Sequence, residues 1–396
     1  MGSHRYVVAM KALRGLYIHI PFCPQICPYC AFASLRGVDY LHERYVSALC
    51  KELSVWGRQY RKNPLQTIFI GGGTPTQIDP SLIGQVLKAA DHAFGMCTDA
   101  EITVEANPGT VDREKFSKLR SVGCNRLSLG VQSFDNQALK KLGRVHSSEE
   151  AERAFTSARE AGFSNVSVDL IFSVPDVAES VWQGSVNKAI SLQPEHISVY
   201  ALTIEEGTLF AKREGEGSLV TLTEDDDAMQ YEWTRNRLLD SGFKQYEVSN
   251  FAQEGWVSRH NWGYWTGAEY LGVGLSAHSH IGGERFWNVK DIETYMQRVE
   301  ENISPEEGRE RIDVQTERRE RFWLGLRTSQ GVFLSEKELA VLKEHEHMNQ
   351  CLKAEYLTLK KDRVLLAEKG WNIADGLAVK LTNILEDGSK VITQCV

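Results

Sequence analysis

The first half of the sequence alternates short β-branched segments with stretches of helical spacing, with a repeat of roughly 30 residues. The segments predict six strands: Leu16–Ile20, Thr67–Ile70, Glu101–Glu105, Arg126–Val131, Ser167–Phe172 and His196–Leu202. The stretches predict helices at Tyr40–Tyr60, Pro80–Phe94, Asp112–Val122, Ser148–Ala161 and Glu179–Leu192. This order requires right-handed crossovers and a parallel sheet, and six units can curl into most of a barrel. We therefore predict an α/β fold in which residues 14–210 form a partial (β/α)6 barrel, similar to a TIM barrel.

The pattern changes after Phe210. An acidic run, Glu224–Asp227, opens a helix, and an irregular Gly- and Trp-rich stretch follows at 242–283. From about residue 291 the chain is charged and helical. We predict a barrel extension at 211–290 and a small, mostly helical C-terminal domain at 291–396, with a hairpin near Asp362–Leu366.

Composition excludes several classes of protein. Hydrophobic residues make up 42% and charged residues 25%, and no run approaches the roughly 18 apolar residues that span a bilayer. A net charge of −8 argues against a nucleic-acid partner, since such proteins usually carry a basic face. We expect a cytoplasmic protein without a transmembrane segment. Arg5, Lys11 and Arg14 with no acid among them leave an organelle-targeting remnant open for a eukaryotic source.

Three of the eight cysteines, Cys23, Cys27 and Cys30, lie within eight residues directly after the first predicted strand. In a barrel of this kind the loops that follow the strands carry the chemistry. Three thiolates can hold an iron–sulfur cluster and leave one of four irons without a protein ligand, an open position for a cofactor. From these residues alone, a Cys3His zinc site that uses His19 or a remote histidine stays open.

The segment Tyr17-Ile-His-Ile-Pro-Phe-Cys, followed by Cys-x3-Cys-x2-Cys, resembles the radical S-adenosylmethionine (SAM) superfamily. It is similar to the branch that contains the oxygen-independent coproporphyrinogen III oxidase HemN and the heme chaperone HemW. The resemblance extends from about Leu16 to Leu381. It implies a [4Fe–4S] cluster on the three cysteines, with SAM chelating the open iron and split by one electron to methionine and a 5′-deoxyadenosyl radical.

Further positions match the superfamily's SAM site. A glycine run, Gly71–Gly73, follows the second strand, and polar residues lie at the ends of the next three. Taken singly, such residues also fit a tight loop, a helix cap or a surface ion pair. The resemblance assigns SAM binding to Tyr17, Gly72, Gly73, Thr74, Glu105, Gln132, Arg144 and Asp169. It leaves open whether one or two SAM molecules bind, and Ser173–Asp176 departs from the family's usual Gly-Leu-Pro-Gly.

Two positions separate the oxidases from the heme chaperones. Phe32 stands where HemN-type oxidases carry a fourth cysteine, and residues 260–265 fit the His-Asn-x-x-Tyr-Trp pattern of HemW. An imidazole is a good axial ligand for heme iron, which makes His260 the candidate heme ligand. The alternative is a packed histidine that is hydrogen-bonded to the backbone. His278 and His280 are weaker candidates.

The resemblance therefore implies a heme chaperone that binds a [4Fe–4S] cluster, SAM and heme and delivers heme to an acceptor hemoprotein, such as a membrane-associated respiratory protein. We expect the capacity to cleave SAM without coproporphyrinogen oxidase activity. The alternatives are an oxidase that decarboxylates two propionates of coproporphyrinogen III, and a zinc-stabilised scaffold without catalysis.

Overall fold

The structure is a computed structural model that describes residues 14–60 and 64–393, with the backbone alone for 387–393. Its strands are β1 (Gly15–Ile20), β2 (Leu65–Gly72), β3 (Met96–Ala106), β4 (Arg126–Gln132), β5 (Val166–Phe172), β6 (His196–Ala201), β7 (Lys244–Glu247), β8 (Asn250–Ala252), β9 (Tyr270–Val273), β10 (His278–Ile281), β11 (Glu284–Asn288), β12 (Glu306–Arg311), β13 (Val332–Phe333), β14 (Leu357–Lys360) and β15 (Arg363–Leu366).

The α-helices are α1 (His42–Tyr60), α2 (Pro80–Phe94), α3 (Arg113–Ser121), α4 (Asn136–Lys141), α5 (Ser148–Glu160), α6 (Glu179–Ser191), α7 (Leu209–Gly215), α8 (Glu224–Asp240), α9 (Arg259–Trp265), α10 (Ile292–Glu300), α11 (Val314–Leu326), α12 (Glu336–Glu344), α13 (Glu346–Lys353) and α14 (Ala374–Thr393). Short α4 is absent from the sequence prediction.

One large sheet organises the described part of the chain, in the order β12-β11-β10-β9-β1-β2-β3-β4-β5-β6-β8-β7. Its centre, from β9 and β1 through β6, is parallel, and antiparallel strands flank both sides. The predicted α/β fold with a barrel-like parallel sheet is confirmed. The domain boundaries stay predictions, because β9 of the predicted extension pairs directly with β1 of the barrel.

The two faces of the central strands differ because successive side chains point to opposite sides. On β1, Leu16, Ile18 and Ile20 are fully buried in the apolar core. Tyr17 and His19 take the opposite face, which lines the barrel interior. The same alternation places Ser128 and Asp169 on that interior face, where their side chains meet.

Local signals explain why the outer helices begin and end where they do. At α2, the Asp79 carboxylate accepts the Ser81 N–H, Pro80 occupies the first helical position, and Gly95 ends the helix with a φ of 78°. At α5, Ser147 and Glu150 form a capping box.

A buried carboxylate joins the barrel to the flanking strands. Glu52 on α1 accepts hydrogen bonds from the Gly274 N–H, the Asn288 amide and the Tyr295 hydroxyl. Burial raises the pKa of Glu52, and the hydrogen bonds lower it. Because these three donors come from the 270–300 region, the Glu52 carboxylate holds that region against α1.

The C-terminal region is a helical unit with a small sheet in the order β13-β15-β14, which includes the expected hairpin. It contacts α9 through one guanidinium. Arg327 lies over the Trp323 ring, with its guanidinium carbon 4.0 Å from the ring centre, and 5.6 Å from the ring centre of Trp265 at the end of α9. Asp375 of α14 pairs with the same guanidinium.

No helix within residues 14–60 or 64–393 is both long and apolar enough to cross a membrane.

Candidate functional site

The cysteine loop runs from β1 to α1 at the end of the barrel where the parallel strands finish, called here the mouth. Two main-chain hydrogen bonds hold its base, from the Cys23 N–H to the Leu35 carbonyl (2.9 Å) and from the Leu35 N–H to the Pro21 carbonyl (2.7 Å). The Cys30 N–H closes a turn on the Cys27 carbonyl at 3.0 Å. All three cysteines are half-buried.

Neighbouring cysteines affect the pKa values of Cys23 and Cys30. Burial raises the pKa of Cys23, and the charges of Cys30 and Cys27 raise it further, while Thr74 lowers it. Burial likewise raises the pKa of Cys30, and the charge of Cys27 raises it further. A hydrogen bond from the Phe32 N–H lowers it. Burial and mutual repulsion thus favour the neutral thiols of Cys23 and Cys30, and bound iron would reverse that balance because a coordinating cation deprotonates thiols.

The donor set fits a cluster better than a single zinc ion. No group of three or more Cys, His, Asp or Glu side chains in the described ranges is gathered tightly enough for one metal ion. Each thiolate of a [4Fe–4S] cluster binds a different iron, so the thiols need not converge on one point. His19 is also committed elsewhere: its Nε2 donates to the Ala33 carbonyl at 2.8 Å, and its Nδ1 lies 3.0 Å from the Tyr17 hydroxyl. The zinc alternative that uses His19 is therefore not supported.

The glycine run at the end of β2 packs directly beneath the cysteine loop. A Cβ on Gly72, which has a φ of 115°, would lie 2.5 Å from the His19 ring, and one on Gly73 would lie 2.8 Å from the Pro21 and Phe22 backbone. The Thr74 N–H donates to the Phe22 carbonyl at 2.8 Å, and the Thr74 hydroxyl lies 3.4 Å from Cys23 Sγ. The glycines are thus required by the chain's own close approach, in addition to any ligand.

Two acids from β3 and β5 face the space below the cysteines. Glu105 Oε2 accepts the Gly72 N–H at 3.1 Å. Burial raises the pKa of Glu105 to about 7, and the charge of Asp169 adds to the rise. The Asp169 carboxylate accepts hydrogen bonds from three serine hydroxyls: Ser128 (2.7 Å), Ser167 (2.9 Å) and Ser198 (2.7 Å).

Arg144 and Gln132 complete the mouth. Arg144 Nη1 donates to Cys27 Sγ at 3.6 Å, and Nη2 donates to the Gly130 carbonyl at 2.8 Å. Its Nε is buried without a hydrogen-bond partner, which leaves one donor for a ligand. Gln132 ends β4 with a φ of 68°, a left-handed conformation that is uncommon for non-glycine residues.

His260 lies at the opposite end of the barrel, called here the floor, where α9 covers the starts of the strands. Its Nδ1 lies 2.8 Å from the Thr67 hydroxyl and its Nε2 lies 2.8 Å from the Tyr264 hydroxyl. The ring stacks on Phe69 with 5.3 Å between centroids. Burial lowers the pKa of His260 to about 3, so the imidazole is neutral.

The backbone at the start of α9 is also hydrogen-bonded to the barrel. The Glu101 carboxylate accepts the N–H groups of both Arg259 and His260 at 3.0 Å. Outside this helix lies a cleft of about 320 Å³ that includes Arg14, Tyr264 and Tyr270 in its lining.

The structure thus brings together at the mouth the predicted cluster and SAM positions, and it separates His260 from them. Over the five steps from Gly15, beside His260, to Ile20, β1 rises roughly 16 Å. The sequence reading missed the positioning roles of His19, of the three serines around Asp169 and of Tyr264. Alternation along β4, β5 and β6 is the signal that would have aimed the serines inward.

Comparison with known proteins agrees with this geometry. Residues 17–187 match the family model described as the Radical SAM superfamily. The chain is therefore a radical SAM protein, a class whose cofactors are a [4Fe–4S] cluster and SAM.

Full-length relatives narrow the class. The heme chaperone HemW of Bacillus subtilis (strain 168) is 36% identical over 372 residues, which are 94% of this chain and 96% of that protein. HemW of Escherichia coli (strain K12) is 40% identical over 271 residues, 67% of this chain and 70% of that protein. Among solved structures, coproporphyrinogen III oxidase (HemN) of Escherichia coli shares the fold, with a TM-score of 0.80 and 21% identity over 94% of this chain and 90% of that chain. The chain belongs to the HemW family.

Proposed function

We propose that this protein is a heme chaperone. It binds heme and passes it to an acceptor hemoprotein, with a [4Fe–4S] cluster on Cys23, Cys27 and Cys30. The single observation that carries the proposal is the relation to proteins named as heme chaperones along 94% of the chain. Phe32, 72% exposed where the oxidases carry a fourth cysteine, also favours it.

We further propose that SAM binds at the mouth through the residues that surround the cysteine loop: Tyr17, Gly72, Gly73, Thr74, Glu105, Gln132, Arg144 and Asp169. When bound, the cluster supplies the electron that splits SAM. The chain's own contribution is to position these groups: Arg144 meets Cys27, and Glu105 accepts the Gly72 N–H. The free Arg144 Nε suits a carboxylate or ring acceptor.

Heme ligation by His260 is the third part of the proposal, and the geometry attaches a condition to it. Both ring nitrogens already have partners, so Nε2 reaches iron only after Tyr264 releases it. The cleft outside α9 gives the side from which heme would approach. Heme binding therefore includes a displacement of Tyr264 or of α9 itself.

The test is a heme titration of purified, anaerobically reconstituted protein, followed by absorption spectroscopy. His260→Ala should lose most of the affinity, whereas His92→Ala, on the exposed face of α2, should match the unmodified protein. Tyr264→Phe should bind heme about 5-fold more tightly, because one hydrogen bond of roughly 1 kcal/mol no longer competes for Nε2.

Three outcomes would count against this proposal. Failure of the unmodified protein to bind heme would refute the chaperone function itself. Full heme affinity in His260→Ala would refute the ligand and leave the function standing. Formation of protoporphyrinogen from coproporphyrinogen III in an anaerobic assay would instead establish the oxidase.

A further inference from the structure

Arg126 is a buried cation without a counter-ion. It begins β4 on the interior face of the barrel, only 1% of its surface is exposed, and its Nε is buried without a partner. Within residues 14–60 and 64–386, no side chain forms an ion pair with it. An isolated buried charge is strongly unfavourable unless an opposite charge or several dipoles compensate it.

Other buried polar atoms near the floor also lack partners. Thr103 sits beside it on β3, in register with it, and the Thr103 hydroxyl is buried without a hydrogen bond. The same holds for the Ser258 hydroxyl at the start of α9 and for Asn165 Oδ1 just before β5. Alternation along the strands places Thr103, Arg126 and Asn165 on one interior face. The positive charge of Arg126 also lowers the pKa of His196 and His260, after the larger effect of burial, so it lies near the floor.

The acids nearest to this region are committed to other donors. Glu101 accepts two backbone N–H groups of α9. Asp169 accepts three serine hydroxyls. Glu247 accepts the Ser249 N–H and the Asn250 amide. None of these three carboxylates is hydrogen-bonded to the Arg126 guanidinium.

We propose that the floor of the barrel holds a small monoanion, of the size of chloride or formate, against the guanidinium of Arg126. The hydroxyls of Thr103 and Ser258 donate to the same anion, and a water molecule donates to Asn165 Oδ1. This site lies behind α9, on the barrel side of His260, and is separate from the cysteine loop. It does not depend on heme binding.

The anion has a consequence for α9. Ser258 immediately precedes that helix, so an anion that bridges Arg126 and Ser258 ties α9 to β4. A ligand that binds only the conformation in which α9 covers the floor stabilises that conformation, and the stabilisation grows with the logarithm of the ligand concentration. The anion therefore opposes any displacement of α9.

Two measurements on the full-length protein test the site. Crystals grown in sodium bromide should show an anomalous peak beside Arg126. The midpoint of thermal unfolding should rise by about 3 °C when chloride or formate replaces a bulky anion at constant ionic strength. Arg126→Met should abolish both effects, whereas Arg113→Met, at an exposed arginine beside Glu160, should keep both.

A floor that shows only water beside Arg126 at saturating bromide would overturn the proposal, as would identical unfolding midpoints in all anions. Should Arg126→Met fail to fold, Thr103→Val removes one donor at nearly constant volume. It should weaken the apparent anion affinity about 5-fold, and an unchanged affinity would equally overturn the proposal.

Discussion

The mouth and the floor of the barrel are built from the same strands but are stabilised in different ways. At the mouth, main-chain hydrogen bonds join the cysteine loop to the end of β2. Arg144 donates to Cys27, and its Nε has no partner. At the floor, α9 closes the barrel, and the ring of His260 is hydrogen-bonded on both sides. The mouth is thus arranged to receive a cofactor in its present conformation, whereas the floor must change to offer its histidine.

The largest expected effect concerns the mouth alone. Replacing Cys23, Cys27 or Cys30 with Ser should remove most of the cluster, because each thiolate holds a separate iron. Iron and sulfide content per chain, measured after anaerobic reconstitution, reports the loss. Cys50→Ser, at a half-buried cysteine on α1, should retain full iron.

The same cysteine variants sharpen the comparison. Since the floor lies roughly 16 Å away along β1, heme affinity should survive the loss of the cluster. Loss of heme binding in Cys27→Ser, with the protein still folded, would show that the two ends are coupled.

A smaller effect is expected at the glycine run. Gly72→Ala places a Cβ against the His19 ring at a positive φ, and we expect the free energy of unfolding to fall by about 3 kcal/mol. Gly184→Ala, in α6 with open space around its Cβ position, should instead be neutral or stabilising by roughly 0.5 kcal/mol. Urea unfolding of both variants measures the difference, and equal stabilities would refute the steric argument.

The smallest effect distinguishes the two ends by pH. The pKa of Glu105 is raised from 4.5 to about 7, so the folded state binds the extra proton, and the stability from this group is lost as pH rises through that window. The pKa of His260 is lowered to about 3, so its contribution is lost as pH falls below 6.5. The two ends therefore have opposite slopes.

Glu105→Gln should remove the first slope. Glu105 is buried enough to raise its pKa but is not fully enclosed, so solvent screens part of the effect, and we expect a change of no more than about 2 kcal/mol between pH 4.5 and 7. The free energy of unfolding of the variant and of the unmodified protein, measured at matched pH values, separates the contribution of Glu105 from that of Glu247, whose pKa is also raised. Parallel curves would mean that Glu105 is not protonated in the folded state.

The sequence predicted the sheet well because strand periodicity and helix capping are local. Five of the six strands appear within two residues of their expected bounds, β3 begins five residues earlier, and Gly72, Thr74 and Arg144 do gather beside the cysteines. It could not place His260, because no local signal indicates which end of a barrel a later helix will cover. It also gave no sign of Arg126, since a strand's first residue reads as exposed until tertiary packing closes the floor over it.

The guanidinium of Arg327 extends this arrangement beyond the barrel. It lies between the last tryptophan of α9 and Trp323 of the C-terminal region, and it is paired with Asp375. A tilt of α9 large enough to free His260 would also draw Trp265 away from that stack. The contact between α9 and the C-terminal region would then be lost. The surface that the C-terminal region presents to a docked acceptor would change with the position of α9.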